Sequence, residues 1–194
     1  MKIFIATGNK KKIGEIKPLL EGYEVLSIAD GIEIPEVVED KYTFEGNSQK
    51  KALEIAKYLN MVTVADDSGL MVEALEGAPG VYSARYAGED SNDLKNNQKL
   101  IRELSNKENK KAKFVSVISV AKPNGEVYSF RGEVHGIIIE KARGENGFGY
   151  DPHFYYEPLE KTFAELILEE KNKISHRANA LLKMKNEIEK ILKS

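Results

Sequence analysis

The stretch ADDSGLMVEAL, Ala65 to Leu75, puts two adjacent aspartates directly after the apolar run Val62-Thr63-Val64-Ala65. Such a run has the composition of a buried strand. Burying two carboxylates in a strand is costly unless each is compensated. The pattern therefore predicts a strand over Val62 to Asp66 that ends at the carboxylates, with Ser68-Gly69 turning the chain.

Outward from this stretch, the N-terminal part alternates strand and helix. Ile3 to Ala6 reads as a buried strand. Lys10 to Glu21 reads as a helix with Ile13, Ile16 and Leu20 on one face, shortened or kinked by Pro18. Tyr23 to Ile28 reads as a second strand, and Ile32 to Asp40 as an acidic, irregular segment. Thr43 to Asn60 reads as a helix with Thr43 as N-cap and Ala52, Ile55, Ala56 and Leu59 as its apolar stripe. On the C-terminal side, Gly77 to Gly88 is rich in glycine and proline and reads as loop. Ser91 to Leu104 reads as a helix offering Leu94, Leu100, Ile101 and Leu104 for burial. Phe114 to Ala121 and Glu126 to Gly136 flank Pro123-Asn124-Gly125, a hairpin signal. Ala142 to Tyr156 reads as a glycine-rich loop leading into an aromatic strand. Glu169 to Lys193 reads mainly as one closing helix with Leu181, Met184, Ile188 and Ile191 inward. These elements predict a single α/β domain, residues 1–194, with a mixed, partly antiparallel sheet and flanking helices.

Composition narrows the function. The chain has 194 residues, enough to bury about 70% of its unfolded surface. Its 29 basic and 31 acidic residues nearly cancel, so no global field draws in nucleic acid or an anionic membrane. An anionic ligand must be held by local charge. Cysteine is absent, which excludes a disulfide framework and a thiolate metal site. The N-terminus MKIFIATGNKKK is too short in apolar residues for a signal-peptide core or a membrane span, and a cytoplasmic protein is expected.

Four segments carry chemistry. ATGNKKK, Ala6 to Lys12, ends a strand, turns at Gly8 and opens a helix with three lysines. Lysines oppose the dipole of a first helical turn, so they point either to a solvated basic start or to a nearby anion. Asp66 and Asp67, with Glu36, Glu39 and Asp40 upstream, make an oxygen-rich set that suits a hard cation or an acidic turn. GENGFGYDPHF, Gly144 to Phe154, sets Phe148 and Tyr150 among glycines, where an aromatic ring can stack on a base or tuck into the core. EEKNKISHRANAL, Glu169 to Leu181, gathers Lys171, Lys173, His176 and Arg177, donors suited to carbonyl and ring-nitrogen acceptors or to a solvated helix face. No serine or cysteine is placed to make His176 part of a hydrolase triad.

Taken together with GAPGVYSARYAGED and KTFAEL, these segments resemble the inosine/xanthosine triphosphate pyrophosphatase family, enzymes that clear aberrant purine nucleotides. The motifs occur in the family's order along the whole chain. The resemblance implies a long mixed sheet with two lobes around a central cleft, usually in a homodimer. It implies Mg²⁺-dependent hydrolysis of inosine, deoxyinosine and xanthosine triphosphates to the monophosphate and pyrophosphate. It assigns nucleotide contact to Thr7, Gly8, Asn9, Lys10, Lys11 and Lys12, with Lys12 as the phosphate lysine. Asp67 becomes acid/base catalyst and metal ligand, Glu39 the second metal ligand, and Ser68 a substrate contact. Phe148, Gly149, Tyr150, Asp151, Lys171, His176 and Arg177 become the base pocket. A small-molecule nucleotide is then the partner, with no nucleic acid and no membrane. Two rival classes are a phosphomonoesterase with an aspartate nucleophile, which would release orthophosphate, and a nucleotide-binding module without turnover.

Overall fold

The computed structural model describes residues 1–193; Ser194 and the side chain of Lys11, one of the residues expected to contact nucleotide, lie outside the described residues. Among the described residues, seven strands form one mixed sheet in the order β2-β1-β3-β4-β5-β6-β7. They are β1 Lys2–Ile5, β2 Glu24–Ser27, β3 Val62–Val72, β4 Lys111–Ala121, β5 Val127–Ile138, β6 Phe154–Tyr156 and β7 Lys161–Thr162. The helices are α1 Lys10–Ile16, α2 Phe44–Leu59, α3 Asp93–Leu104, α4 Leu168–Ile174 and α5 His176–Lys193. The expected sheet, mixed and flanked by helices, is the one observed.

The chain divides into two compact units. One comprises Met1–Asp67, Ser116–Gly132 and the chain from Asn179 onward; the other comprises Ser68–Val115 and Glu133–Ala178. In the first unit β1 pairs in parallel with β2 (Ile3 opposite Val25) and with β3 (Ile3 opposite Val62). Parallel pairing needs a crossover, which α1 and α2 provide. Both faces of these strands are covered. Ile3, Ile5 and Val64 pack with Ile16, Leu20, Leu181, Met184 and Ile188 on one side. Phe4, Ala6 and Ala65 pack with Ala52, Ile55 and Ala56 of α2 on the other. That two-sided burial is why β1 reads as a continuous apolar run. α1 stops at Ile16, and Lys17–Leu20 tightens into a 3-10 turn with Pro18 near its start, the expected shortening. Thr43 caps α2 by accepting the Gly46 N–H at 3.0 Å.

The second unit has its own core, in which Leu70 and Val72 meet Leu100, Leu104, Phe114, Phe154 and Phe163. The rings of Phe114 and Phe154 lie 4.5 Å apart, and those of Phe154 and Phe163 lie edge to face at 4.9 Å.

Several expectations are corrected. β3 does not stop at the aspartates but runs on to Val72, because each carboxylate finds a partner and the backbone need not leave the sheet. Gly69 is therefore no turn residue. A Cβ there would meet Ser83 Oγ at 2.3 Å and the Gly80 carbonyl at 2.5 Å, so glycine is needed where the Gly80–Arg85 3-10 turn approaches the strand. That 3-10 turn occupies part of the segment expected to be loop. Leu94 is 68% exposed, since α3 turns Leu100 and Leu104 inward instead. The closing helix is two helices: Ser175 is extended (φ −66°, ψ 157°), and its hydroxyl accepts the Ala178 N–H at 3.1 Å, starting α5.

The approach at Gly69 yields a stability test. Gly69→Ala should cost about 1–3 kcal/mol of unfolding free energy through overpacking. Urea unfolding followed by circular dichroism measures it, and a loss under about 0.5 kcal/mol would show that the turn can yield without cost.

Candidate functional site

Strand alternation resolves the adjacent aspartates. Side chains of an extended strand point to opposite faces in turn. Asp66 therefore follows Val64 onto the face shared with α1, and Asp67 follows Ala65 onto the face shared with α2. The contacts agree. Lys12 of α1 places Nζ 2.7 Å from Asp66 Oδ2. Asn47 of α2 donates from Nδ2 to Asp67 Oδ2 at 3.1 Å. Both aspartates are buried, at 2% and 9% exposure, so each depends on its partner.

Asn47 is held from behind. Its Oδ1 accepts the Lys41 N–H at 2.9 Å, which leaves its NH₂ to face Asp67 and fixes the orientation of the amide. One turn later on α2, Lys51 bonds both Glu39 and the Asp66 carbonyl, the latter at 3.2 Å. Between them on the sequence, Ser48 donates to the Ala65 carbonyl at 3.2 Å and continues through Ser119 and Ser129 to Gln49, each link 2.8 to 3.0 Å. α2 thus holds β3 at Ala65, Asp66 and Asp67 together.

Burial and then the charge of Glu39 push the Asp67 carboxyl up to about 6, against the Asn47 donation and the Lys51 charge. Two carboxylates near enough to repel each other suit a hard cation, and Mg²⁺ commonly takes only one or two carboxylates from the protein. Among the described residues no cluster of three or more histidine, cysteine or acidic side chains forms a larger cage. The donor set at Glu39 and Asp67 therefore fits Mg²⁺. Glu36 lies in the same irregular segment, and Asp40 is turned to Lys50 at 3.0 Å.

The Thr7–Lys12 turn is braced by its own polar side chains. Thr7 Oγ1 accepts the Asn9 N–H at 3.2 Å, and Asn9 Oδ1 accepts the Lys12 N–H at 3.4 Å. Among the described residues a Cβ added at Gly8 would meet nothing within 4 Å, and its φ is not left-handed. The fold alone does not demand glycine there, whereas a ligand approaching the backbone would.

The second unit holds the other cluster. Asp151 Oδ2 accepts the Phe148 N–H at 3.0 Å and receives Lys171 Nζ at 2.5 Å. Burial raises the Asp151 carboxyl, while Lys171, the Phe148 N–H and the charge of Arg177 act to lower it. Lys171 Nζ also lies 4.9 Å from the centre of the Phe148 ring, which is 44% exposed. His176 stacks on Phe114 at 5.0 Å, and Arg177 is buried beside it in sequence. Tyr150 is buried and gives its hydroxyl to the Ser83 carbonyl at 2.7 Å, so its ring is part of the core and not a stacking surface.

Sequence reasoning passed over Asn47 and Lys51. A signal was present: Asn47, Ser48 and Lys51 interrupt the N-terminal end of a stripe that continues as Ala52, Ile55 and Ala56, and polar residues on a buried stripe need partners.

A family model described as the Ham1 family matches residues 3–187. A dITP/XTP pyrophosphatase of Syntrophobacter fumaroxidans is 50% identical over 193 residues, covering 98% of this chain and 83% of that one. Its counterpart in Desulfotalea psychrophila is 48% identical, covering 98% and 86%. Among solved structures, the Staphylococcus aureus Ham1 protein superposes with a TM-score of 0.93 at 46% identity, covering 97% and 98%. A nucleoside-triphosphatase, or dITP/XTP pyrophosphatase, of Mycobacterium abscessus superposes with a TM-score of 0.82 at 42% identity, covering 95% and 98%. With matches of this extent in sequence and in fold, the chain belongs to the Ham1 family.

Proposed function

We propose that the chain is an Mg²⁺-dependent pyrophosphatase that hydrolyses inosine, deoxyinosine and xanthosine triphosphates to the monophosphate and pyrophosphate. The observation that carries this reading is Asp67: a buried carboxylate, aimed by Asn47, lifted by burial and by Glu39, and standing apart from an adjacent aspartate already engaged by Lys12. The names of the relatives supply deoxyinosine and xanthosine triphosphates, and the family resemblance adds inosine triphosphate.

Asp67 is the general base. In the metal-free protein its carboxyl, at about 6, is ionised at neutral pH and so able to accept a proton from water. Asp66 faces the other side of β3 and is bound by Lys12, which leaves it a poor second base. Glu39 and Asp67 would hold Mg²⁺, which when bound would neutralise charge on the phosphate oxygens. The local charges, Lys12 and Lys51 against Glu39, Asp66 and Asp67, sum to about −1, so a triphosphate needs such a cation to be tolerated here. Thr7, Gly8, Asn9, Lys10 and Lys11 accompany Lys12, the phosphate lysine, in contacting the nucleotide, and Ser68 contacts substrate next to the base.

In the second unit Phe148 offers a face to the purine, while Lys171, His176 and Arg177 supply donors that suit a 6-keto ring. The assembly is a homodimer, as the resemblance implies, and it works in the cytoplasm. No helix among the described residues is long and apolar enough to cross a membrane.

Incubation with inosine triphosphate and Mg²⁺ tests the reaction directly. Pyrophosphate should appear in step with inosine monophosphate, and chelation should stop it. Orthophosphate as first product would instead favour a phosphomonoesterase, and tight binding without turnover a binding module.

Arg177 tests how the base is read. Its guanidinium has only donors, which match O6 and N7 of a 6-keto purine but meet another donor at C6 of adenine. Arg177→Ala should lower kcat/KM on inosine triphosphate far more than on adenosine triphosphate, narrowing their ratio about ten-fold. An unchanged ratio would assign Arg177 to Asp151 and the fold instead.

A further inference from the structure

Residues of α3 that belong to none of the segments above close on the loop that carries Phe148. Asp93 and Asn97 stand one turn apart on α3, hence on one face of it. Asp93 Oδ2 accepts the Gly149 N–H at 2.7 Å, and Asn97 Nδ2 donates to the Gly149 carbonyl at 2.8 Å. Gly149 sits at φ +60°, in the left-handed region, and both polar groups of this one residue are taken by the same helix. We propose that Asp93 and Asn97 are positioning residues, a two-point clamp on Gly149 that presets the Phe148 ring for the purine. The proposal rests on the reading of Phe148 as the platform for the base.

A residue gripped at its N–H and its C=O has its backbone rotations set from outside. The neighbouring positions are gripped as well: Asp151 takes the Phe148 N–H, and Tyr150 is anchored through its hydroxyl to Ser83. Phe148 is what this scaffold leaves exposed, with Lys171 over its ring. Stacking gains most when the ring is already in place, because the entropy of ordering it has been lost during folding and not during binding. The clamp is not a by-product of ending a helix. Asn92 is the N-cap of α3, accepting the Lys95 N–H at 3.0 Å, so capping does not require Asp93. Asn97 is buried, and its Oδ1 has no partner among the described residues. The bond to Gly149 is thus the use the fold makes of that amide.

The chain contains no tryptophan, so Phe148→Trp installs a single fluorescent reporter at the ring in question. In that background, Asn97→Leu and Asp93→Ala should lower the anisotropy of the indole, whereas Asp93→Asn, which keeps an acceptor for the Gly149 N–H, should leave it near the parent value. In the chain without the reporter, Asn97→Leu and Asp93→Ala should raise KM for inosine triphosphate about ten-fold, the worth of one such hydrogen bond. Inhibition by inorganic pyrophosphate should not move, and Asp93→Asn should rescue KM. Asp93 is exposed, so its variants report even if Asn97→Leu does not fold. Unchanged anisotropy would overturn the clamp itself. Lower anisotropy with unchanged KM would overturn the reading of Phe148 as the base platform, and the proposal with it. A parallel rise in KM and in the pyrophosphate inhibition constant would also overturn it, by showing general loosening.

Discussion

A strand has two faces, and this chain places one aspartate on each. That constraint organises the first unit. On the α1 face Asp66 is closed by Lys12, and on the α2 face Asp67 is met by the neutral amide of Asn47. The same helix that orients Asp67 also carries Lys51 to the Asp66 carbonyl and Ser48 to the Ala65 carbonyl. β3 can therefore remain in the sheet through two carboxylates that would otherwise drive it out. On one face a lysine cation sits against the carboxylate. The amide of Asn47 orients the other without carrying a charge to neutralise it.

The arrangement has an energetic consequence. Asp67 is buried beside Glu39, and burial and that charge outweigh the Asn47 donation and the Lys51 charge in setting its carboxyl. A carboxylate whose ionised form the fold disfavours in this way works against folding at pH above its raised value. Asp66, joined to Lys12, is a compensated charge whose loss would leave a lysine without its partner. Adjacent residues of identical chemistry thus contribute to stability with opposite sign, as expected where function is built at the expense of the fold. In the second unit polar groups serve rigidity instead, with Asp151, Asn97 and Tyr150 spent on holding backbone.

Much of this was legible in the sequence. Apolar runs gave β1 and the start of β3, Thr43 gave the start of α2, Pro18 the end of α1, and Asn124-Gly125 the hairpin. The family motifs marked Lys12, Asp67, Phe148, Asp151, Lys171 and Arg177, and the structure brings Phe148, Asp151 and Lys171 into contact. What failed did so for a physical reason. The continuation of β3 depends on Lys12 and Asn47, partners distant in sequence, so local polarity suggested a stop. Gly69 looked like punctuation because the close approach of Ser83 is tertiary. The sequence leaves Tyr150 between stacking and core, and its burial, with its hydroxyl on the Ser83 carbonyl far along the chain, puts the ring in the core.

The claim that one aspartate is neutralised and the other left charged is tested most directly by comparing the unfolding free energies of Asp66→Asn and Asp67→Asn in metal-free buffer at pH 8. Asparagine keeps the shape of both side chains, and at position 67 it still accepts from Asn47. Asp66→Asn should destabilise by about 1–3 kcal/mol through loss of the Lys12 pair, and Asp67→Asn should stabilise by about 1–3 kcal/mol through relief of a buried, repelled charge. Destabilisation by both, to a similar extent, would contradict the account and show that the two carboxylates are compensated alike.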